Sequence, residues 1–205
     1  MNRIKSEKTA VLEVKKSVFT ATVKPMHDEA LTLEYIKNEK LRHPKSHHLV
    51  YAYHLDEGRI QRQSDDGEPK GTAGMPVLEA IHQYDITDVV VTVRRDFGGI
   101  LLGAGGLIRA YSKAAHLALK MSEILIPIPV YVIQMTLDYK AYDAAQSHLN
   151  QYLSHLSSEF AIGVTVQGEI PIQKWDDFKE KLQSLLNAAP TIDIIEEKTT
   201  YQPSN

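Results

Sequence analysis

The chain has 205 residues, enough for one large domain or two small ones. Hydrophobic residues make up 43%, charged residues 24%, and the net charge is -3, so a protein coated in positive charge is excluded and nucleic acid can bind only through a local patch. There is no cysteine, which excludes disulfide-linked partners, thiolate nucleophiles and cysteine-ligated metals.

MNRIKSEKTA at the N-terminus lacks the apolar core of a signal peptide. Thr9–Val14 and Ser17–Val23 read as two short strands joined at Lys15-Lys16. Asp28 is placed to cap a helix running to about Arg42 and ended by His43-Pro44. From His47 to Leu55 the chain alternates, with His47, Leu49, Tyr51, Tyr53 and Leu55 on one face and His48, Val50, Ala52 and His54 on the other. Asp56-Glu57-Gly58 then turns into Arg59–Ser64. The segment from Ser64 to Pro76 is a loop crowded with acids, glycines and prolines. Pro76 suits the first turn of a helix burying Val77, Ala80, Ile81 and Tyr84.

Val89–Val93 reads as a buried strand, followed by Arg94 and Arg95. A nine-residue loop, Gly98 to Gly106, holds five of the 11 glycines, and Leu107 opens a long amphipathic helix. On it Arg109, Lys113, His116 and Lys120 form a narrow polar stripe opposite Ala110, Tyr111, Ala114 and Ala118. Ile124 to Ile133 is the longest apolar stretch; it is interrupted by Pro127 and Pro129 and cannot span a bilayer. A domain boundary is expected there. Beyond it come a strand, Val130–Leu137, and a helix with Ala141, Ala145, Leu149, Tyr152 and Leu156 on one face. Two strands then share Glu159–Ile170, broken at Gly163. A helix with Trp175, Phe178, Leu182 and Leu185 and a strand, Thr191–Glu196, follow. That order, βαββαβ, is ferredoxin-like. The expected division is 1–127, 128–198 and a disordered tail, 199–205.

Strand, glycine-rich loop and helix N-terminus together make an anion site, because unpaired N–H groups converge at the positive end of the helix dipole. Gly98, Gly99, Gly103, Gly105 and Gly106 would let a ligand approach the backbone; Arg94, Arg95 and Arg109 would supply charge. Lys70 and Thr72 of the acidic loop complete the candidate phosphate-binding set. The arginines outweigh the dipole: a helix end is worth about 0.3–1 kcal/mol to an exposed anion, a charge-assisted hydrogen bond about 1.5–3. There is no Gly-Lys-Ser/Thr for a nucleoside-triphosphate loop, and Ile108 stands where a dinucleotide loop needs its third glycine. The alternative is a tight connection whose glycines serve backbone packing.

Asp65, Asp66 and Glu68 also admit two readings. They are the chain's candidate metal ligands, for Mg²⁺, or they pair with Arg94, Arg95 or Lys70 and pin the two loops together. Pairing is preferred, since adjacent Asp65 and Asp66 diverge in an extended chain. His48 and His54, six residues apart on a strand, lie about 20 Å from one another and do not converge on a metal. No residue order matches a hydrolase signature, so no catalytic residue is assigned.

Two motifs read together carry a resemblance. Asp66-Gly67-Glu68-Pro69-Lys70-Gly71-Thr72-Ala73-Gly74 is the first. The second is Arg95-Asp96-Phe97-Gly98-Gly99 with the run from Leu102 to Tyr111. With Ser46-His47-His48 and Tyr51-Ala52-Tyr53, they resemble the YigZ/IMPACT family in its bacterial two-domain form. The family usually has an aromatic residue where Asp96 stands. The resemblance implies an α+β protein. Its N-terminal domain would be similar to a small-subunit ribosomal protein and to domain IV of elongation factor G; its C-terminal domain would be ferredoxin-like. Eukaryotic members act in translational control by binding an activator of the kinase that senses uncharged tRNA. The leading expectation is therefore a cytoplasmic, translation-associated binding protein whose partner is RNA, the ribosome or a translation regulator. The alternatives are a small enzyme using Mg²⁺ on a phosphorylated or nucleotide ligand, and a structural role for the loops.

Overall fold

A computed structural model describes residues 1–204. Its contacts divide the chain into two compact units, Met1–Ile126 joined by the chain end from Pro203, and Pro127–Gln202. The protein is a mixed α+β chain of two antiparallel sheets and five α-helices.

In the first unit, β1 (Arg3–Ile4) is short and pairs with Leu125 and Ile124. The main sheet is built from β2 (Lys8–Val14), β3 (Ser17–Pro25), β4 (His48–Leu55), β5 (Ile60–Ser64) and β6 (Val89–Asp96), in the order β2-β3-β6-β4-β5. Every neighbouring pair is antiparallel. Three helices cover it: α1 (Glu29–Arg42), α2 (Gly74–Gln83) and α3 (Ala104–Lys120). Asp28 caps α1 as expected, its carboxylate accepting from Leu31 N–H at 2.9 Å. The alternation of β4 decides which residue meets which helix. Val50 and Ala52 join Phe19, Val91 and Val93 against Val77, Ile81, Leu107 and Tyr111 of α2 and α3. Leu49, Tyr53 and Leu55 face the other way, in a smaller core with Val90 and Ile36 of α1.

The second unit takes in most of β7 (Ile124–Leu137), then α4 (Tyr139–Tyr152), β8 (Ser154–Phe160), β9 (Val164–Pro171), α5 (Trp175–Leu186) and most of β10 (Ile192–Pro203). The sheet order is β10-β7-β9-β8, which is fourth, first, third and second in the unit's own strand count. That is the ferredoxin-like arrangement. Ile133, Met135, Ala145, Leu149, Val164, Phe178 and Leu182 form its core.

Four expectations need correction. The β6 strand does not end at Val93 but runs through both arginines to Asp96, because Val18 and His48 pair with Asp96 and Arg95. The α3 helix opens at Ala104, so Gly105 and Gly106 belong to its first turn. Leu156 lies on β8 rather than on the preceding helix, though it packs on the same core. The tail after Lys198 is not disordered: β10 continues to Pro203 beside β7, and Ser204 N–H donates to Ile124 C=O at 3.0 Å. Sheet hydrogen bonds order a segment too polar to signal a strand, and Lys198 Nζ adds an ion pair with Glu169 at 2.7 Å. Asn205 lies outside the described residues. Nor do Pro127 and Pro129 interrupt β7. They fall between the residues bonded to β1 and those bonded to β9, which begin at Val130, so no N–H is missed in either ladder.

Candidate functional site

The site lies where the acidic loop, the end of β6 and the start of α3 meet. Asp65 organises the first of these. Its carboxylate accepts from Gly71 N–H at 2.7 Å, Ala73 N–H at 3.0 Å and Gly74 N–H at 2.8 Å. It thereby caps α2 from nine residues upstream, where Ala73 offers no side-chain cap of its own. Burial acts to raise the Asp65 carboxyl; the three backbone donors outweigh it and hold the group below the ordinary aspartate range. Asp66 turns elsewhere, accepting from Leu49 N–H at 2.7 Å and from Lys40 at 2.6 Å.

With the loop so held, Glu68 is driven inside. Its side chain is 4% exposed and that of Arg95 6%, and Oε1 accepts from Arg95 Nη1 at 2.6 Å. The same oxygen accepts from Tyr111 Oη at 2.8 Å. Burial, and then this bond, push the Tyr111 hydroxyl far above its ordinary value, so it stays a donor. Arg95 Nη2 donates to Ser17 Oγ at 3.4 Å, and its guanidinium lies 5.5 Å from the Phe19 ring centre and 5.3 Å from that of Phe97. Arg95 is thus a neutralised structural group, not an open anion receptor.

Strand alternation separates the two arginines. Arg94 points to the α1 face, with Nε 3.6 Å from Asp96 and Nη2 3.5 Å from Thr20 Oγ1. Asp96, which also accepts from Ser46 Oγ at 2.9 Å, therefore answers Arg94 and leaves Arg95 to Glu68. Of the remaining candidates, Thr72 donates its hydroxyl to Pro69 C=O, while Lys70 is exposed. Asp65, Asp66 and Glu68 are not brought together, since each holds different protein groups. Among the described residues no group of three His, Asp or Glu is placed to hold a metal.

Above the Glu68–Arg95 pair is a cavity of about 400 Å³. His47, His48, Phe97, Leu101, Leu102, Gly103, Ala104 and Leu107 surround it, with Glu68 and Arg95 below. The buried pair marks its floor; Phe97 and Leu101, 39% and 83% exposed, mark its rim. His47 and His48 line it together. The expectation that they part across a strand is corrected by the start of β4, which begins only at His48. His48 Nδ1 lies 2.8 Å from Asp66 C=O, and Nε2 lies 3.9 Å from Glu68 Oε1. His47 accepts from Phe97 N–H at 3.4 Å.

Two glycines shape the rim. A Cβ at Gly98 would sit 2.0 Å from Lys16 C=O, so β6 and the β2–β3 turn approach only because that residue is glycine. Gly98→Ala is expected to cost about 1–3 kcal/mol or more, read as a lower urea midpoint. Gly103, at φ +70°, turns the chain into α3 in a conformation that side chains disfavour. No side chain caps α3, and Leu107 N–H is the first to bond back, to Gly103 C=O. On the far side of Leu102 a second groove is lined by Lys15, Gly106, Arg109 and Lys113. Arg109 thus flanks the same helix start from the opposite side to Arg95. Gly99 and Gly105 are exposed on the loop and on the first turn of α3.

Fold and site together define a two-domain α+β protein carrying a glycine-loop pocket in its first unit. The family model described as the Impact N-terminal domain matches residues 15–119, which span this pocket and the sheet beneath it. The chain is 32% identical over 191 residues to IMPACT family member YvyE of Bacillus subtilis, covering 92% of this chain and 87% of that protein. It is 28% identical over 195 residues to IMPACT family member YigZ of Escherichia coli, covering 92% and 95%. A solved structure described as the crystal structure of a hypothetical protein matches at 27% identity with a TM-score of 0.57, over 96% of this chain and 98% of that one. The chain belongs to the IMPACT family.

Proposed function

We propose that this protein is a cytoplasmic, translation-associated RNA-binding protein that captures an unpaired nucleotide at the start of α3. The observation that carries this reading is the juxtaposition around Leu102. An apolar slot with Phe97 at its rim lies on one side, and a groove with Lys15, Arg109 and Lys113 on the other. Single-stranded nucleic acid is held by that combination, bases on aromatic or apolar surface and phosphates along cationic groups. The uncapped N–H groups of α3 lie between the two, where a phosphate would pass from slot to groove. With Arg94 on the other face and Arg95 neutralised, the phosphate charge falls to Arg109 and the two lysines.

The test is fluorescence anisotropy with single-stranded RNA octamers. Affinity is expected to fall with salt along a shallow slope, reflecting a few phosphate contacts. Phe97→Ala should weaken binding by the worth of one stacked base, about 1–3 kcal/mol. Arg109→Ala should weaken all sequences alike, since a phosphate contact carries no sequence information. If folded Arg109→Ala binds RNA, ribosomes and free phosphoanions as well as the parent does, the anion site is wrong and the loop is structural.

A further inference from the structure

We infer that the slot selects its base and that it selects guanine; this rests on the RNA reading above. The argument begins with the tautomer of His48. The carbonyl oxygen of Asp66, 2.8 Å from Nδ1, can only accept, so Nδ1 carries the proton. The neutral ring then presents Nε2 to the slot as a lone pair, an acceptor. Beside it, 3.9 Å from Nε2 to Oε1, is the Glu68 carboxylate. Oε1 is engaged by Arg95 and Tyr111, while Oε2, in a residue that lines the slot, makes no hydrogen bond and is not among the fully occluded polar atoms.

The third polar residue of the floor adds no donor. Arg95 spends Nη1 on Glu68 and Nη2 on Ser17, and its unpaired Nε has no exposed surface. The floor therefore offers two adjacent acceptors between apolar walls. A base seated there must bring donors, because a buried acceptor facing another acceptor loses its water and gains nothing. Guanine alone among the four bases carries two neighbouring donors on one edge, N1–H and the 2-amino group. Adenine and cytosine bring one amino group beside an acceptor nitrogen, and uracil one N–H between two carbonyls.

The experiment uses the full chain and octamers of uridine with one central position changed to guanine, adenine, cytosine or hypoxanthine. Guanine is expected to bind about 10-fold or more tighter than uracil, the equivalent of one unmade buried hydrogen bond. Hypoxanthine, which lacks the 2-amino group, should lose most of that advantage. His48→Asn keeps a donor for the Asp66 carbonyl and removes the Nε2 acceptor; on protein shown to melt cooperatively, it should bring the guanine-to-uracil ratio close to one. Equal binding of all five octamers, or a preference for adenine, cytosine or uracil, overturns the guanine inference and leaves RNA binding standing. Failure of every octamer to bind overturns the RNA reading, and this inference with it.

Discussion

Glu68→Ala is expected to lower the stability of the first unit by about 3–5 kcal/mol, the cost of leaving one member of a buried ion pair without its partner. Its physical cause is specific. The substitution strands the Arg95 guanidinium, 6% exposed between two phenyl rings, and takes the acceptor from the Tyr111 hydroxyl. Guanidinium cannot shed its charge, so relaxation by deprotonation is closed to it. Urea unfolding should show a lower midpoint at unchanged slope. Glu68→Leu combined with Arg95→Met and Tyr111→Phe should recover much of the loss, because it removes the stranded groups along with the pair. A loss below about 1 kcal/mol for Glu68→Ala would mean the pair is solvated, and the floor of the slot with it.

The elements of this chain were written locally and its site was not. Alternation marked β4, and Asp28 with His43-Pro44 bracketed α1, because strand faces and helix ends depend on residues a few positions apart. The limits of β6 depend on partners at Val18 and His48, so Arg94-Arg95-Asp96 carried no local sign of being strand. Once they are strand, alternation sends Arg94 and Arg95 to opposite faces. The preference for acids pinning the loops was right in kind for Glu68, while Asp65 found backbone donors that no pairing of charges would suggest. Glu68, Arg95 and Tyr111 lie 27 and 43 residues apart, a distance across which a single sequence has no pattern to offer. The slot had one legible trace: Phe97, Ile100 and Leu101 put large apolar side chains into a glycine loop with no periodicity to bury them, and all three are exposed.

Asp65 is the second position where a large effect is expected. Asp65→Ala removes three charge-assisted bonds at once and exposes the start of α2, for a loss of about 3 kcal/mol or more. Asp65→Asn is the more informative change. Its amide oxygen can still accept from Ala73 and Gly74, but its NH₂ group would then face Gly71 N–H, donor against donor. The expected loss is about 1.5–3 kcal/mol at neutral pH. The two variants also differ from the parent in their dependence on acid. Because the Asp65 carboxyl is held below its ordinary range in the folded protein, the unfolded chain takes up this proton first as the pH drops. The parent's advantage is therefore full above the range in which an unfolded aspartate titrates. It drains away as the pH falls through the lowered folded value. Asn at position 65 has no proton to gain, so the stability gap between parent and Asp65→Asn should narrow on acidification and never widen. Urea midpoints measured in steps from pH 7 to pH 3 would show it. A gap that grows toward low pH, or no gap at pH 7, would mean that Asp65 does not carry its charge into the α2 cap.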